Sequence, residues 1–360
     1  MTKKQHSGRS HQTLYRLGLI PAGLIMLGIG LCAAGCLSSN QPSPTAWNTL
    51  TAMNAVYPGK TGCWEGYNEN GDPGTYFEFA AHGLRVDYVH PEYFTRINDD
   101  GTLSKPGYQD PGRQGQASID YPDLLYACNA FHQHGVGICV GLFVHNFETV
   151  SAAALTAFFR RWSLDLKGLG IDSVIFIPAW EIQGQWAAWS QGATRDCYID
   201  PAVFNSQMIV FRNAVDKAMA DAPTGAEIIL GAVANGWTAN TSFNSFSHSA
   251  LEYMPGLRLA DWVGLDYYPV KAGTPGGPAD ALNDAAGFYR KLGTHPDFGL
   301  AEYSINTVPA MGGPVDWSEA EKIDFIKTTY DLLRTTYPMI GHIHWWFIGR
   351  GPTNAWICFK

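Results

Sequence analysis

Apolar residues along this chain gather into short runs separated by longer amphipathic stretches, with a spacing of about 40 residues. Eight runs predict strands: Thr61–Tyr67, Gly83–Val89, Val136–His145, Ile171–Glu181, Glu227–Ala234, Asp261–Val270, Phe298–Ser304 and His342–Ile348. Helical patterns lie between them at Ala152–Leu169, Pro201–Ala220, Asp280–Leu292 and Ser318–Thr335, the last opened by an Asp-Trp-Ser-Glu cap signal. Runs such as Val-Ile-Phe-Ile at 174–177 and Ile-Ile-Leu-Gly at 228–231 do not alternate, which is how a parallel strand covered on both faces reads. Eight such units in one body predict an α/β fold, a (β/α)8 TIM barrel forming a single domain over residues 51–360. A doubly wound sheet fits less well, because no Gly-x-Gly-x-x-Gly follows the first strand. Residues 90–118, rich in Asp, Gly and Pro, are expected to form a long loop after the second strand, on the face where barrel enzymes bind ligand.

The first 35 residues follow a different pattern. Lys3, Lys4, Arg9 and Arg16 precede an uncharged apolar stretch from Leu17 to Gly35, which reads as a signal peptide. The following Ala33-Ala34-Gly35-Cys36 resembles a bacterial lipobox, and that resemblance implies acylation of Cys36, export, and a membrane partnership through a lipid anchor. Leu37 beside it implies sorting to the outer membrane, with either side open, while an uncleaved signal anchor is the competing reading. Residues 36–50, rich in Ser, Asn, Gln and Pro, read as a tether.

Charge narrows the partners. The chain carries 24 basic and 32 acidic residues, a net charge of −8, so it has no electrostatic footprint for nucleic acid. Aromatic residues make up 13% of it, which points to stacking surfaces for an uncharged ligand. Five cysteines remain after Cys32 and Cys36 are set aside, and none forms a Cys-x-x-Cys pair, so buried or bridged thiols are expected rather than zinc. His342-x-His344 places two imidazoles on one strand face without a third ligand at a suitable spacing, so no metal and no cofactor is expected.

Two carboxylates end apolar runs. Ile175-Phe-Ile-Pro-Ala-Trp180-Glu181 and Phe298-Gly-Leu-Ala-Glu302 each lead a strand into a glutamate, three units of about 40 residues apart. On a barrel these would face each other across the mouth, as a pair of carboxylates must for glycoside hydrolysis. The segment Glu181-Ile-Gln-Gly184-Gln-Trp186-Ala-Ala-Trp189 resembles glycoside hydrolase family 26, the β-mannanase group of clan A, whose motif reads His-Glu-Met-Asn-Gly-x-Trp-Phe-Trp-Trp.

That resemblance implies a retaining endo-type hydrolase of a β-linked mannan or glucan, with Glu181 as acid/base and Glu302 as nucleophile. Val263-Gly-Leu-Asp266-Tyr-Tyr268 is similar to the family's Gly-x-Asp-x-Tyr, which implies that Tyr268 supports the nucleophile and Asp266 meets substrate. By the same resemblance His145, Trp186, Trp189 and Trp346 would contact sugar, and a polysaccharide is the expected partner of a monomer. The chain departs from the family at Trp180, which stands where the family has His. An indole N–H donates one hydrogen bond and accepts none. Trp180 is nonetheless expected to bind substrate, and a non-catalytic polysaccharide-binding lipoprotein on a decayed barrel is the alternative reading.

Overall fold

The computed structural model describes residues 49, 51–53, 61–65, 87–105, 118–183, 199–236, 248–269, 273, 275–293, 296–303 and 318–345. The chain divides into two units, Met1–Asn40 and Gln41–Lys360, and every described residue belongs to the second. The signal segment, Cys36 and most of the tether lie outside the described residues.

Eight parallel strands appear in chain order: β1 (Thr61–Glu65), β2 (Tyr88–Ile97), β3 (Gly137–Val144), β4 (Ser173–Ile177), β5 (Glu227–Asn235), β6 (Trp262–Tyr267), β7 (Asp297–Tyr303) and β8 (His342–Trp345). Each pairs with its sequence neighbour, and β1 pairs with both β2 and β8, so the sheet closes on itself. This is a (β/α)8 barrel. Among the described residues, five long helices follow strands: α1 (Tyr121–Gln133), α2 (Ala152–Gly168), α3 (Pro201–Asp221), α4 (Pro278–Leu292) and α5 (Glu319–Thr335). The start of α5 was legible from its cap signal. Asp120, Ser151, Asp200 and Ser318 accept hydrogen bonds from first-turn amides, and Ser318 forms a reciprocal capping box with Glu321.

The second strand differs from expectation. It runs Tyr88–Ile97 rather than Gly83–Val89, so part of the expected loop is sheet. Pro91, Tyr93, Thr95 and Ile97 are buried while Phe94 is half-buried and Arg96 exposed, a period-two pattern carried by residues of mixed polarity. A Pro and two charged residues disguised it. A two-residue strand, Leu103–Ser104, then pairs antiparallel with its end.

Rings fill the barrel interior near the strand starts. Tyr88 of β2 stacks on His342 of β8 with centroids 4.6 Å apart, and Trp262 of β6 stacks on His344 of β8 at 5.9 Å. Strands that are not neighbours can meet only across the interior. Trp262 fits because adjacent positions lack side chains: a Cβ at Gly264 would lie 2.5 Å from its ring, and one at Gly231 3.3 Å. Outside the barrel, Phe158, Phe159 and Trp162 of α2 pack with Phe176 of β4 and Phe211 of α3. Much of the aromatic content read as stacking surface is therefore core. Cys128 and Cys139 are free and buried, and burial pushes the Cys128 thiol up to about 12 and Cys139 well above its usual range, which leaves both unreactive.

Candidate active site

The carboxyl ends of β4 to β7 bring the site together. Across β5, β6 and β7 the register aligns Asn235 with Asp266 and Asp266 with Glu302. Three polar residues thus form a row on adjacent strands, each at or near the point where an apolar run ends. Asp266 and Asn235 are at most 1% exposed and Glu302 is 5% exposed.

Glu302 reaches this row through an irregularity. Between Leu265 and Asp266 the β6 strand advances one residue while β7 advances two, and β7 gains a residue against β8 as well. Such a bulge re-aims a side chain beside a site. Gly264 leaves room for it, since a Cβ there would fall 2.5 Å from the Cβ of Ala301.

Tyr267 and Tyr268 diverge, as successive residues of an extended chain do. The Tyr267 hydroxyl donates to Asp284 on α4 at 3.0 Å, tying β6 to its helix. The Tyr268 hydroxyl donates to Glu302 Oε2. Burial, followed by the charges of Glu302, Asp266 and Glu181, pushes the Tyr268 phenol well above its ordinary pKa, so it stays protonated and can only donate to a carboxylate. Both glutamates therefore act electrostatically on one hydroxyl.

Glu181 lies just beyond β4, in the turn Glu181–Gln183. Its backbone has φ 42°, the one non-glycine residue with positive φ among those described. The end of β5 holds this turn residue by residue. Asn235 Nδ2 donates to Glu181 Oε1 at 3.0 Å, and the Ile182 amide donates to the Val233 carbonyl at 3.4 Å. Gln183 uses both ends of its amide on the Asn235 backbone: its Oε1 accepts from the Asn235 N–H at 2.7 Å and its Nε2 donates to the Asn235 carbonyl at 3.3 Å. A carboxamide offers the same donor and acceptor as a peptide, so Gln183 extends the sheet by one mimicked residue.

The same device recurs beside β3. Asn146 clasps the Ile97 backbone at the end of β2, accepting at 3.1 Å and donating at 2.7 Å. It braces His145, the expected sugar contact. Burial, and then the charge of Arg96, lowers the His145 pKa, which favours a neutral imidazole able to accept as well as donate.

Of the residues singled out from the sequence, Glu181, Asp266, Tyr268 and Glu302 are drawn into one cluster, and His145 stands past the end of β3. Trp180 is 3% exposed and belongs to the hydrophobic core. Trp186, Trp189 and Trp346 lie outside the described residues. His342 and His344 sit in the stacked interior near the strand starts, and no group of three potential metal ligands occurs among the described residues. Asn235 was missed. Its signal was available, because it ends the run Ile228–Ala234 as Glu181 and Glu302 end theirs, but an amide at a strand end is common and carries no charge.

No protein-family model and no curated protein matches the sequence. Among solved structures, the chain is similar to the catalytic domain of a Bacillus sp. JAMB-750 GH26 endo-β-1,4-mannanase, at 16% identity over 87% of this chain and 83% of that one, with a TM-score of 0.48. It is similar to a Bacillus subtilis mannanase at 14% identity, covering 89% and 94% of the two chains with a TM-score of 0.46. A structure from a study of two fungal β-1,4-galactanases matches at 12% identity over 79% and 88%, with a TM-score of 0.49.

Proposed function

We propose that the protein is a retaining endo-type glycoside hydrolase that cleaves a β-linked polysaccharide of mannan or glucan type. The observation that supports this reading is that Glu302 accepts a hydrogen bond from the buried Tyr268 phenol, while Glu181, from a non-adjacent strand end and held from β5, lies near enough for its charge to act on the same phenol.

In this reading Glu302 attacks the anomeric carbon as Glu181 gives its proton to the leaving oxygen. Glu181 then takes a proton from water, whose oxygen displaces Glu302 and frees its carboxylate. Tyr268 keeps one Glu302 oxygen occupied, which leaves the other to attack. His145 and Asp266 would meet sugar hydroxyls, and Trp186, Trp189 and Trp346 would stack on pyranose faces. Trp180 is enclosed in the core. No step calls for a cofactor. The chain is proposed to act as a monomer outside the cytoplasm, held at the outer membrane by a lipid on Cys36.

Reducing ends released from mannan, mixed-linkage glucan, xylan and galactan test the reading. Release by wild type on the order of 10³-fold above Glu302→Gln is expected, and equal release by the two proteins overturns the nucleophile assignment. Affinity for polysaccharide without release by wild type would mark a binding protein instead. The activity is expected to sediment with membranes, and a labelled fatty acid fed to the cells is expected to mark wild type and not Cys36→Ser.

A further inference from the structure

We propose that Asn235 is a positioning residue that holds the carboxylate of Glu181 in one orientation and favours its ionised form, so that it sets the pH at which Glu181 passes from acid to base. The proposal rests on the reading of Glu181 as the acid/base.

Asn235 spends its two kinds of polar group on neighbouring parts of one turn. Its backbone N–H and carbonyl pair with the amide of Gln183, two residues beyond Glu181, and its side chain donates to Glu181 itself. The first pair fixes where the Asn235 backbone stands relative to the turn. The side chain therefore meets Glu181 from a frame that is already fastened, and the contact is 3.0 Å long, within the range of a good N–H···O bond. Asn235 is 1% exposed, so water does not compete readily for its donor.

The chemistry of double displacement makes this donor consequential. Glu181 must be protonated when the leaving oxygen departs and ionised when water attacks. An Nδ2–H bond strengthens as the carboxyl loses its proton, because hydrogen bonds to an ionised acceptor are shorter and stronger. It stabilises the form needed for the second step and lowers the pH at which Glu181 gives up its proton. It also keeps one oxygen, Oε1, engaged.

Asn235→Ala and Asn235→Asp remove the donor while leaving the backbone pairing with Gln183 in place, and Asn235→Asp preserves the side-chain shape. The pH profile of kcat/KM is expected to keep its acidic limb and move its basic limb to higher pH in both variants, further in Asn235→Asp because a like charge also opposes ionisation. We expect kcat to fall about tenfold with KM little changed. Lower kcat with an unmoved basic limb is what a purely structural role gives, and it overturns the proposal. Carbon NMR titration of 13C-labelled glutamates, with the Glu181 signal identified by its loss in Glu181→Gln, provides a second readout that needs no substrate. Its midpoint is expected to rise in Asn235→Ala, and an unmoved midpoint overturns the proposal whatever the enzyme cleaves. A raised midpoint in a protein that cleaves none of the polymers would leave the hold of Asn235 on Glu181 standing and sink the hydrolase reading.

Discussion

Glu181 occupies a backbone torsion that its side chain does not favour. At φ 42° its Cβ crowds the following carbonyl, a conformation that costs an L-residue roughly 1–2 kcal/mol and that only Gly, and to a lesser degree Asn and Asp, adopt readily. Strain of this kind persists where surrounding contacts impose it, and here four hydrogen bonds between the turn and the end of β5 do so. Glu181→Asn is therefore expected to be more stable than Glu181→Ala by about 1 kcal/mol in chemical denaturation, although both lose the carboxylate. Equal stability of the two variants would show that the torsion carries no cost. The carboxylates themselves were legible in the sequence, since each abruptly ends an apolar run at a position where a barrel opens its mouth. The torsion was not, because it arises from where β5 stands, and β5 lies more than 40 residues downstream of the turn.

The β7 strand delivers Glu302 through its bulge, and the bulge depends on an absent side chain in the strand beside it. Gly264 faces both Ala301 of the bulged segment and the ring of Trp262, with each only 2.5 Å from where a Cβ would sit. Gly264→Ala should destabilise the protein by about 1–3 kcal/mol through overpacking, and should lower activity further than that loss explains by displacing Glu302. Thermal unfolding and turnover of the same variant check both parts, and full activity in Gly264→Ala would sever the bulge from the placement of Glu302. Strand existence was readable from apolar runs, and seven of the eight were located closely. The exception is β2. Pro91, Thr95 and Arg96 broke the apolar signal, while the alternation of buried Tyr93, Thr95 and Ile97 with half-buried Phe94 and exposed Arg96 became visible only once burial was known. The bulge left no trace in composition at all, because a register shift is a relation between two strands.

Acid acts on the fold as a sum over many groups. Hydrogen bonds from Lys105 to Asp123 and from His248 to Glu252 hold those carboxylates below their usual range, and the fold shifts them in the direction that favours the charged form. Their stabilisation is present above the ordinary carboxylate range and lost as pH falls through the folded values; being exposed, each contributes little. His145 acts at a higher pH. Its folded pKa lies below the ordinary 6.5, so the unfolded chain takes up the proton first and stability declines once the pH drops below about 6.5. The thermal midpoint should accordingly be level from pH 7 to 8 and fall below 6.5, and in His145→Asn the first part of that fall should shrink. A midpoint that rises between pH 6.5 and 5 would contradict this sign. The sequence by itself determined the strand-and-helix alternation, the capping box that opens α5 and the two strand-end glutamates, because these depend on side-chain periodicity and local hydrogen bonding within a few residues. Only the tertiary structure decided the course of β2, the bulge under Glu302, the torsion of Glu181 and the grip of Asn235 on its carboxylate. Each of these is a contact between segments far apart in the chain, and its geometry exists only after the barrel has closed.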